Sequence, residues 1–301
     1  SLLSVTPNVG PASGGTLLTI TGSGFTKSTE SDQFFCKFNE NLMVATRVSD
    51  TSVTCASAPV AVSSWTTINL SVVRYDDGRT TTSSYTENSM PYVQVNNLID
   101  ITDISPALGP SSGNTDVTIS SLSQILSGVV DLVDFKCKFG GTVVDGWVSP
   151  SDNEFHCNTP SHSLSSNLHS VPVLISLNGG ADFSDPALSP TYGYYNEITV
   201  DSIVPSSVPA ISGSVVTIVG SNFPNVQSLT CKFGSDETSL ASFVSDSKIK
   251  CALPPSFESP NSYNGKNILV SISANSLDYT PSSASLSLRF EPMASRISPL
   301  Y

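Results

Sequence analysis

Six cysteines carry the most chemistry in this 301-residue sequence, at 36 and 55, 137 and 157, and 231 and 251. A thiol is a nucleophile, a metal ligand or half of a disulfide, and its setting separates these roles. Cys-x-x-Cys spacing is absent and no histidine recurs beside every pair, which argues against zinc. Each cysteine instead sits in a period-2 run. Phe34, Cys36 and Phe38 share one face, as do Phe135, Cys137 and Phe139, then Leu229, Cys231 and Phe233. The second member of each pair follows suit in Val53-Thr54-Cys55, Phe155-His156-Cys157 and Ile249-Lys250-Cys251. Six thiols allow fifteen pairings, and the recurrence selects Cys36–Cys55, Cys137–Cys157 and Cys231–Cys251. Closing a loop of about 20 residues stabilises a domain by roughly 3 kcal/mol in the chain-entropy model. Reduced thiols packed in a core are the competing reading. The disulfide reading implies an oxidising compartment, outside the cell or at its surface.

Other side chains offer little for catalysis. His156 aligns with Thr54 and Lys250 on the outward face of its run, which reads as a surface histidine rather than a general base. His162 and His169 lie within the serine-rich stretch from Ser161 to Ser170, a loop in which a metal pair is the less favoured reading. No nucleophile elbow, with its serine turn between a strand and a helix, no His-Glu-x-x-His helix and no phosphate loop is found. No catalytic residue, metal ligand or cofactor is therefore assigned. Carboxylates gather at Asp76-Asp77, at Asp152 with Glu154, and at Asp182 with Asp185, where calcium would find hard oxygen ligands. No such cluster recurs in every third of the chain, so they read as solvated turn residues. Trp147 and the run Tyr192, Tyr194, Tyr195 are candidate interface aromatics, set against the plainer reading of packed residues in a last strand. One clear glycosylation acceptor exists, Asn69-Leu70-Ser71, with Asn69 facing solvent between inward Ile68 and Leu70. Thr80-Thr81-Thr82-Ser83-Ser84 suits O-linked sugars by composition alone.

The elements that hold these residues come from a repeat. Ser4-Val5-Thr6-Pro7 returns as Asp103-Ile104-Ser105-Pro106, Ser202-Ile203-Val204-Pro205 and Arg296-Ile297-Ser298-Pro299, at intervals of 99, 99 and 94 residues. Gly10-Pro11-Ala12-Ser13-Gly14-Gly15-Thr16 is echoed by Gly109-Pro110-Ser111-Ser112-Gly113-Asn114-Thr115. Short alternating runs separated by Gly, Pro, Asn and Asp read as strands, and no long helical period appears. A later strand carries Ile68, Leu70 and Val72, then Val173, Ile175 and Leu177, then Ile268, Val270 and Ile272 on one face. Hairpin signals follow it at Asp76-Asp77-Gly78 and Asn178-Gly179-Gly180. The net charge of −12 argues against nucleic-acid partners, and charged residues make up 13%, about half the usual share. No run of about 18 apolar residues is present, so no membrane span is expected in this segment.

With these motifs in order, each third of the chain resembles an IPT/TIG domain. The quoted pieces are Thr19-Ile20-Thr21-Gly22-Ser23-Gly24-Phe25 and Thr217-Ile218-Val219-Gly220-Ser221-Asn222-Phe223, then Cys55-Ala56-Ser57-Ala58-Pro59, Cys157-Asn158-Thr159-Pro160 and Cys251-Ala252-Leu253-Pro254. Such domains are the immunoglobulin-like units of plexins, growth-factor-receptor stalks, fibrocystin-like proteins and many protist surface proteins. The second repeat departs from the pattern, with Ser121-Leu122-Ser123-Gln124 in place of Gly-x-x-Phe, so its loop is expected to be remodelled. The resemblance implies fold and location more strongly than function.

The expected fold is all-β, three tandem immunoglobulin-like sandwiches in a rod. The expected domains are 1–98, 99–198 and 199–293, with 294–301 opening a further repeat of a longer chain. Short connections from Tyr92 to Ile101 and from Tyr195 to Val200 are expected to restrict hinging. The expected function is a non-enzymatic stalk or adhesion ectodomain, with a filament subunit and a carbohydrate-binding accessory region of an enzyme as alternatives. Expected partners are proteins or a second copy through the sandwich faces, with glycans as a further candidate. Non-reducing peptide mapping of the native protein should recover three disulfide-linked peptide pairs, one per repeat. Free thiols, or a link between repeats, would overturn both the pairing and the extracellular assignment.

Overall fold

A computed structural model describes the whole chain except residues 28, 64, 76–83, 97–100, 102, 121–132, 150, 152–153, 165, 259–264, 282–283 and 290–301. It is all-β, with three sheets that share one strand order. The first contains β1 (Leu2–Thr6), β2 (Val9–Pro11), β3 (Leu17–Gly22), β4 (Gln33–Phe38), β5 (Asn41–Ser49), β6 (Ser52–Ala56), β7 (Trp65–Tyr75), β8 (Ser84–Tyr85) and β9 (Met90–Val95). Its order is β1-β3-β6-β5-β4-β7-β9-β2, with the short β8 paired to β7. The second holds β10 (Ile104–Ser105), β11 (Leu108–Pro110), β12 (Asp116–Ile119), β13 (Lys136–Phe139), β14 (Thr142–Val148), β15 (Phe155–Asn158), β16 (Leu168–Ser176) and β17 (Thr191–Tyr195). The third holds β18 (Thr199–Val204), β19 (Ser207–Pro209), β20 (Val215–Ser221), β21 (Thr230–Phe233), β22 (Glu237–Ser245), β23 (Lys248–Ala252), β24 (Asn267–Ser273) and β25 (Ser285–Arg289). Compactness divides the chain into residues 1–105, 116–158 and 172–191 as one unit and residues 106–115, 159–171 and 192–301 as another. Among the described residues, no helix is long and apolar enough to cross a membrane.

The recurring proline has a mechanical reason. In the first repeat β1 runs antiparallel to β3, with Val5 opposite Ile20, and after Pro7 the chain runs parallel to β9, with Val9 opposite Val93. The third repeat does the same around Pro205, from β18 on β20 to β19 on β25. Proline has no N–H for a ladder, so it is tolerated where the strand leaves one partner for another. The two ends of the strand order are thus successive pieces of one segment, which limits the open edge available for pairing with other chains.

A second change of partner folds the ribbon into a sandwich. On β5, residues Asn41 to Ala45 pair with β4, while Ala45 to Ser49 pair with β6. β14 switches from β13 to β15 between Asp145 and Gly146, and β22 from β21 to β23 between Leu240 and Ala241. Two strands separated by a third lie about 9.5 Å apart in a flat sheet. Here the cysteines on those strands have Cα atoms 6.4, 6.4 and 6.3 Å apart, and disulfides join Cys36 to Cys55, Cys137 to Cys157 and Cys231 to Cys251. The residue opposite the second cysteine is always small: Ala45, Gly146 or Ala241. Around each bridge the inward residues close an apolar core, including Leu18, Ile20, Phe38 and Leu70 in the first repeat and Val216, Ile218, Phe233 and Ile272 in the third. Burial of such side chains contributes about 1.5–3 kcal/mol each.

A Cβ on Gly146 would collide with the Phe135 ring and crowd the Cys157 sulfur. The Gly146→Val substitution should therefore destabilise by at least about 1–3 kcal/mol through overpacking. A thermal-melt series reads this as a lowered midpoint, and an unchanged midpoint would show that the corner has room.

Candidate functional site at the repeat junctions

Strand β16 ends at Ser176, and its side chain organises the turn that follows. Ser176 Oγ donates to Asn178 Oδ1 at 2.9 Å and accepts from the Gly180 amide at 2.9 Å. Asn178 Oδ1 also accepts from the Asp182 amide at 2.9 Å. With its oxygen engaged, Asn178 aims Nδ2 at Asp182 Oδ2, 2.7 Å away, and at the Val9 carbonyl of the first repeat, 3.3 Å away. Asp182 Oδ2 accepts a second bond from Thr16 Oγ1 at 2.7 Å. Ser176, Asn178 and Thr16 are all buried, so these polar groups depend on one another rather than on water. A cleft of about 300 Å³ opens beside them, with Val9, Pro11, Asn96, Phe183 and Asp185 in its wall.

The second and third repeats meet through the same atoms. Ser273 Oγ donates to Asn275 Oδ1 at 2.9 Å, and that oxygen accepts from the Leu277 and Asp278 amides at 3.0 and 2.9 Å. Asn275 Nδ2 then donates to the Leu108 carbonyl at 2.9 Å and to Asp278 Oδ2 at 2.7 Å. Thr115 Oγ1 donates to Asp278 Oδ2 at 2.7 Å. Downstream, Ser184 Oγ and Thr280 Oγ1 accept from the Ile175 and Ile272 amides, both at 3.1 Å, which aligns Asp182 with Asp278. The aromatic after each carboxylate lies under a lysine, Phe183 below Lys138 and Tyr279 below Lys232, at 5.2 and 4.0 Å.

Behind each threonine stands a buried tyrosine. Burial is the main cause that raises the Tyr92 pKa, the Asp182 charge adds to it, and hydrogen bonds with Ser57 and Thr16 oppose it. The same forces push Tyr192 up to about 12: burial first, Thr115 and Thr159 opposing, the Asp278 charge adding. Gly10 and Gly109 make this approach feasible, since a Cβ on either would strike the tyrosine hydroxyl and the threonine Oγ1. Tyr195 reaches across the second junction, where it joins the core of the third repeat and its phenol oxygen hydrogen-bonds the Ala274 backbone amide.

An IPT/TIG domain model matches residues 1–87, 100–190 and 199–289. The chain belongs to the IPT/TIG domain family. Among solved structures it is similar to the plexin A4 full extracellular region, at 17% identity over 99% of this chain and 30% of that chain, with a TM-score of 0.38. It is also similar to the ICAM-5 D1–D4 ectodomain fragment, at 12% identity over 97% and 75% of the two chains, with a TM-score of 0.26. The chicken CNTN1 FN1–FN3 domains match at 13% identity over 97% and 98%, with a TM-score of 0.27. The chain spans about a third of the length of the plexin regions it matches.

Several residues singled out in the sequence stand elsewhere than expected in these IPT/TIG repeats. His156 is not a surface residue. It is buried, with Nδ1 2.8 Å from Asp116 Oδ1 and its ring stacked on Trp147 at 5.7 Å, because the tryptophan on the neighbouring strand covers it. Tyr192, Tyr194 and Tyr195 are buried and form no exposed aromatic patch, whereas Trp147 remains 39% exposed. His162 lies stacked between His169 and Tyr194, at 5.3 and 4.8 Å. Asp182 is not a solvated turn residue, since the junction uses its carboxylate. Asp185 instead caps a single helical turn by accepting from the Ala187 amide. Asn178-Gly179-Gly180 starts this wider turn rather than a two-residue hairpin, the next strand beginning only at Thr191. Asn69 is exposed, and its amide donates to Asn39 Oδ1. Asp76-Asp77-Gly78, residues 80–83, Asp152, Ser121-Leu122-Ser123-Gln124 and the stretch from Arg296 to Tyr301 lie outside the described residues, as do the side chains of Ser84 and Tyr85.

Two outcomes follow. Gly109→Ala forces a methyl group against Tyr192 and Thr115, and should destabilise by about 1–3 kcal/mol, seen as a lower denaturation midpoint. The raised Tyr192 pKa also links stability to pH. An unfolded tyrosine ionises near pH 10, so above that the unfolded state sheds its proton first. The contribution is complete below pH 10 and is lost as pH rises through about 12. In melts across that range, Tyr192→Phe should show a shallower alkaline loss than the parent, and equal slopes would contradict it.

Proposed function

We propose that this chain belongs to an extracellular or cell-surface protein and acts there as a non-enzymatic stalk or adhesion ectodomain. The observation that carries this reading is the disulfide inside every repeat, since such bonds persist in oxidising compartments. Membership of a family of immunoglobulin-like units supports it. The repeat junctions add support, because they employ the buried polar side chains for contact between neighbouring repeats. We assign domains at 1–98, 99–198 and 199–293, protein partners, and an N-linked glycan on Asn69. Self-association into a filament is a second reading with one observation in its favour. The corner strands expose Leu42, Val44 and Val48, then Val143 and Trp147, then Leu240, Phe243 and Val244.

Labelling intact cells with a membrane-impermeant amine reagent tests the main reading. The full-length protein should be labelled without permeabilisation and should shift in mass on removal of N-linked glycans. Labelling only after lysis, with thiols free, would sink it. Sedimentation of the purified chain separates the two readings, a concentration-independent monomer excluding the filament subunit.

A further inference from the structure

We infer that Thr16 with the Val9 carbonyl, and Thr115 with the Leu108 carbonyl, form a dedicated docking surface for the Asn–Asp turn of the next repeat, so that neighbouring repeats open together rather than singly. This goes beyond the functional reading and holds for a stalk or a filament alike. The same donors and acceptors meet twice, across sequence separations of 166 and 163 residues for the Thr-to-Asp bonds. Chance contact between two surfaces does not reproduce a four-group arrangement of asparagine, carboxylate, hydroxyl and carbonyl.

The arrangement is directional. In the first repeat, Thr86 Oγ1 accepts from the Val72 amide, which puts Ser84 where Asp182 and Asp278 stand, and Tyr75 where Asn178 and Asn275 stand. In the third repeat, the pairing of Ser207 with Ser287 puts Val208 at the Gly10 and Gly109 position and Leu286 at the Tyr92 and Tyr192 position. Ser214 replaces the threonine there and donates to the Pro209 carbonyl instead. By sequence position, then, the first repeat carries the docking surface but neither the asparagine nor the aspartate of the turn, and the third carries the turn without the surface.

The coupling follows from shared atoms. Asn275 Oδ1 closes its own turn while Nδ2 reaches the preceding repeat, and Thr115 faces Tyr192 on one side and Asp278 on the other. Separation would strip partners from both sides at once, and an unsatisfied buried group is costlier than a bond is favourable. An IPT/TIG repeat with Gly, Thr and Tyr at these positions should accept a successor that carries Asn and Asp.

Native-state hydrogen exchange on the full chain tests this. Thr115→Val should speed exchange at the Leu277, Asp278 and Thr280 amides at least about tenfold, although the substitution lies in the preceding repeat. Asn275→Ala should in turn speed exchange at the Ser111, Gly113 and Asn114 amides. Thr115→Ser, which keeps the hydroxyl, should match the parent, and the Gly180 and Asp182 amides of the other junction should not change in any of the three. Changes confined to the substituted repeat, or an equal rise in all three repeats, overturn the inference. Should Thr115→Val not fold, Thr16→Val against Thr16→Ser decides the same question at Gly180 and Asp182.

Discussion

Each repeat is one hydrogen-bonded ribbon of strands that would stay flat if β5, β14 and β22 did not change partner along their length. The bond between Cys36 and Cys55, and its two counterparts, spans that change and holds the halves at a Cα separation only a curled sheet permits. Everything else inherits the geometry. The inward faces of β4 and β7 meet those of β3 and β6 because the ribbon has folded there, and a small residue must sit beside the sulfur because no volume remains.

The closed ribbon leaves its loops to meet neighbouring repeats. Loops at such places carry polar backbone that must be satisfied, and here the need is met by side chains of the adjoining repeat. The turn after β16 and the turn after β24 each spend one asparagine on both tasks, its oxygen on its own backbone and its nitrogen on a foreign carbonyl. The carboxylate beside it accepts from a threonine hydroxyl and from that same amide, which makes the junction a charge-assisted network rather than an apolar patch. Such networks favour one docking geometry over others, since any shift strands a buried group.

Several side chains singled out for their chemistry are engaged within the fold. Its histidines are occupied by packing, His156 beneath Trp147 and His162 against Tyr194, and Asp182 is occupied by its neighbours. Apolar residues on the corner strands remain outward, as does Asn69.

The alternation around each cysteine and the spacing of the prolines were sufficient, as sequence, to establish three β-sandwiches of one family, because a strand's face is set by a period of two that needs no tertiary knowledge. The motif from Gly10 to Thr16 was legible as a repeat but not as a junction. Its reason lies in Tyr92 and Asp182, 76 and 166 residues after Thr16, and no local pattern links such positions. The exposure of His156 was misjudged for a related cause. Alternation tells which face of a strand a residue occupies, whereas only the neighbouring strand, with Trp147 upon it, decides whether that face is covered. Face and family belong to the sequence alone. Coverage, and the pairing of one repeat with the next, belong to the tertiary structure, because both depend on groups brought together only after the chain has folded.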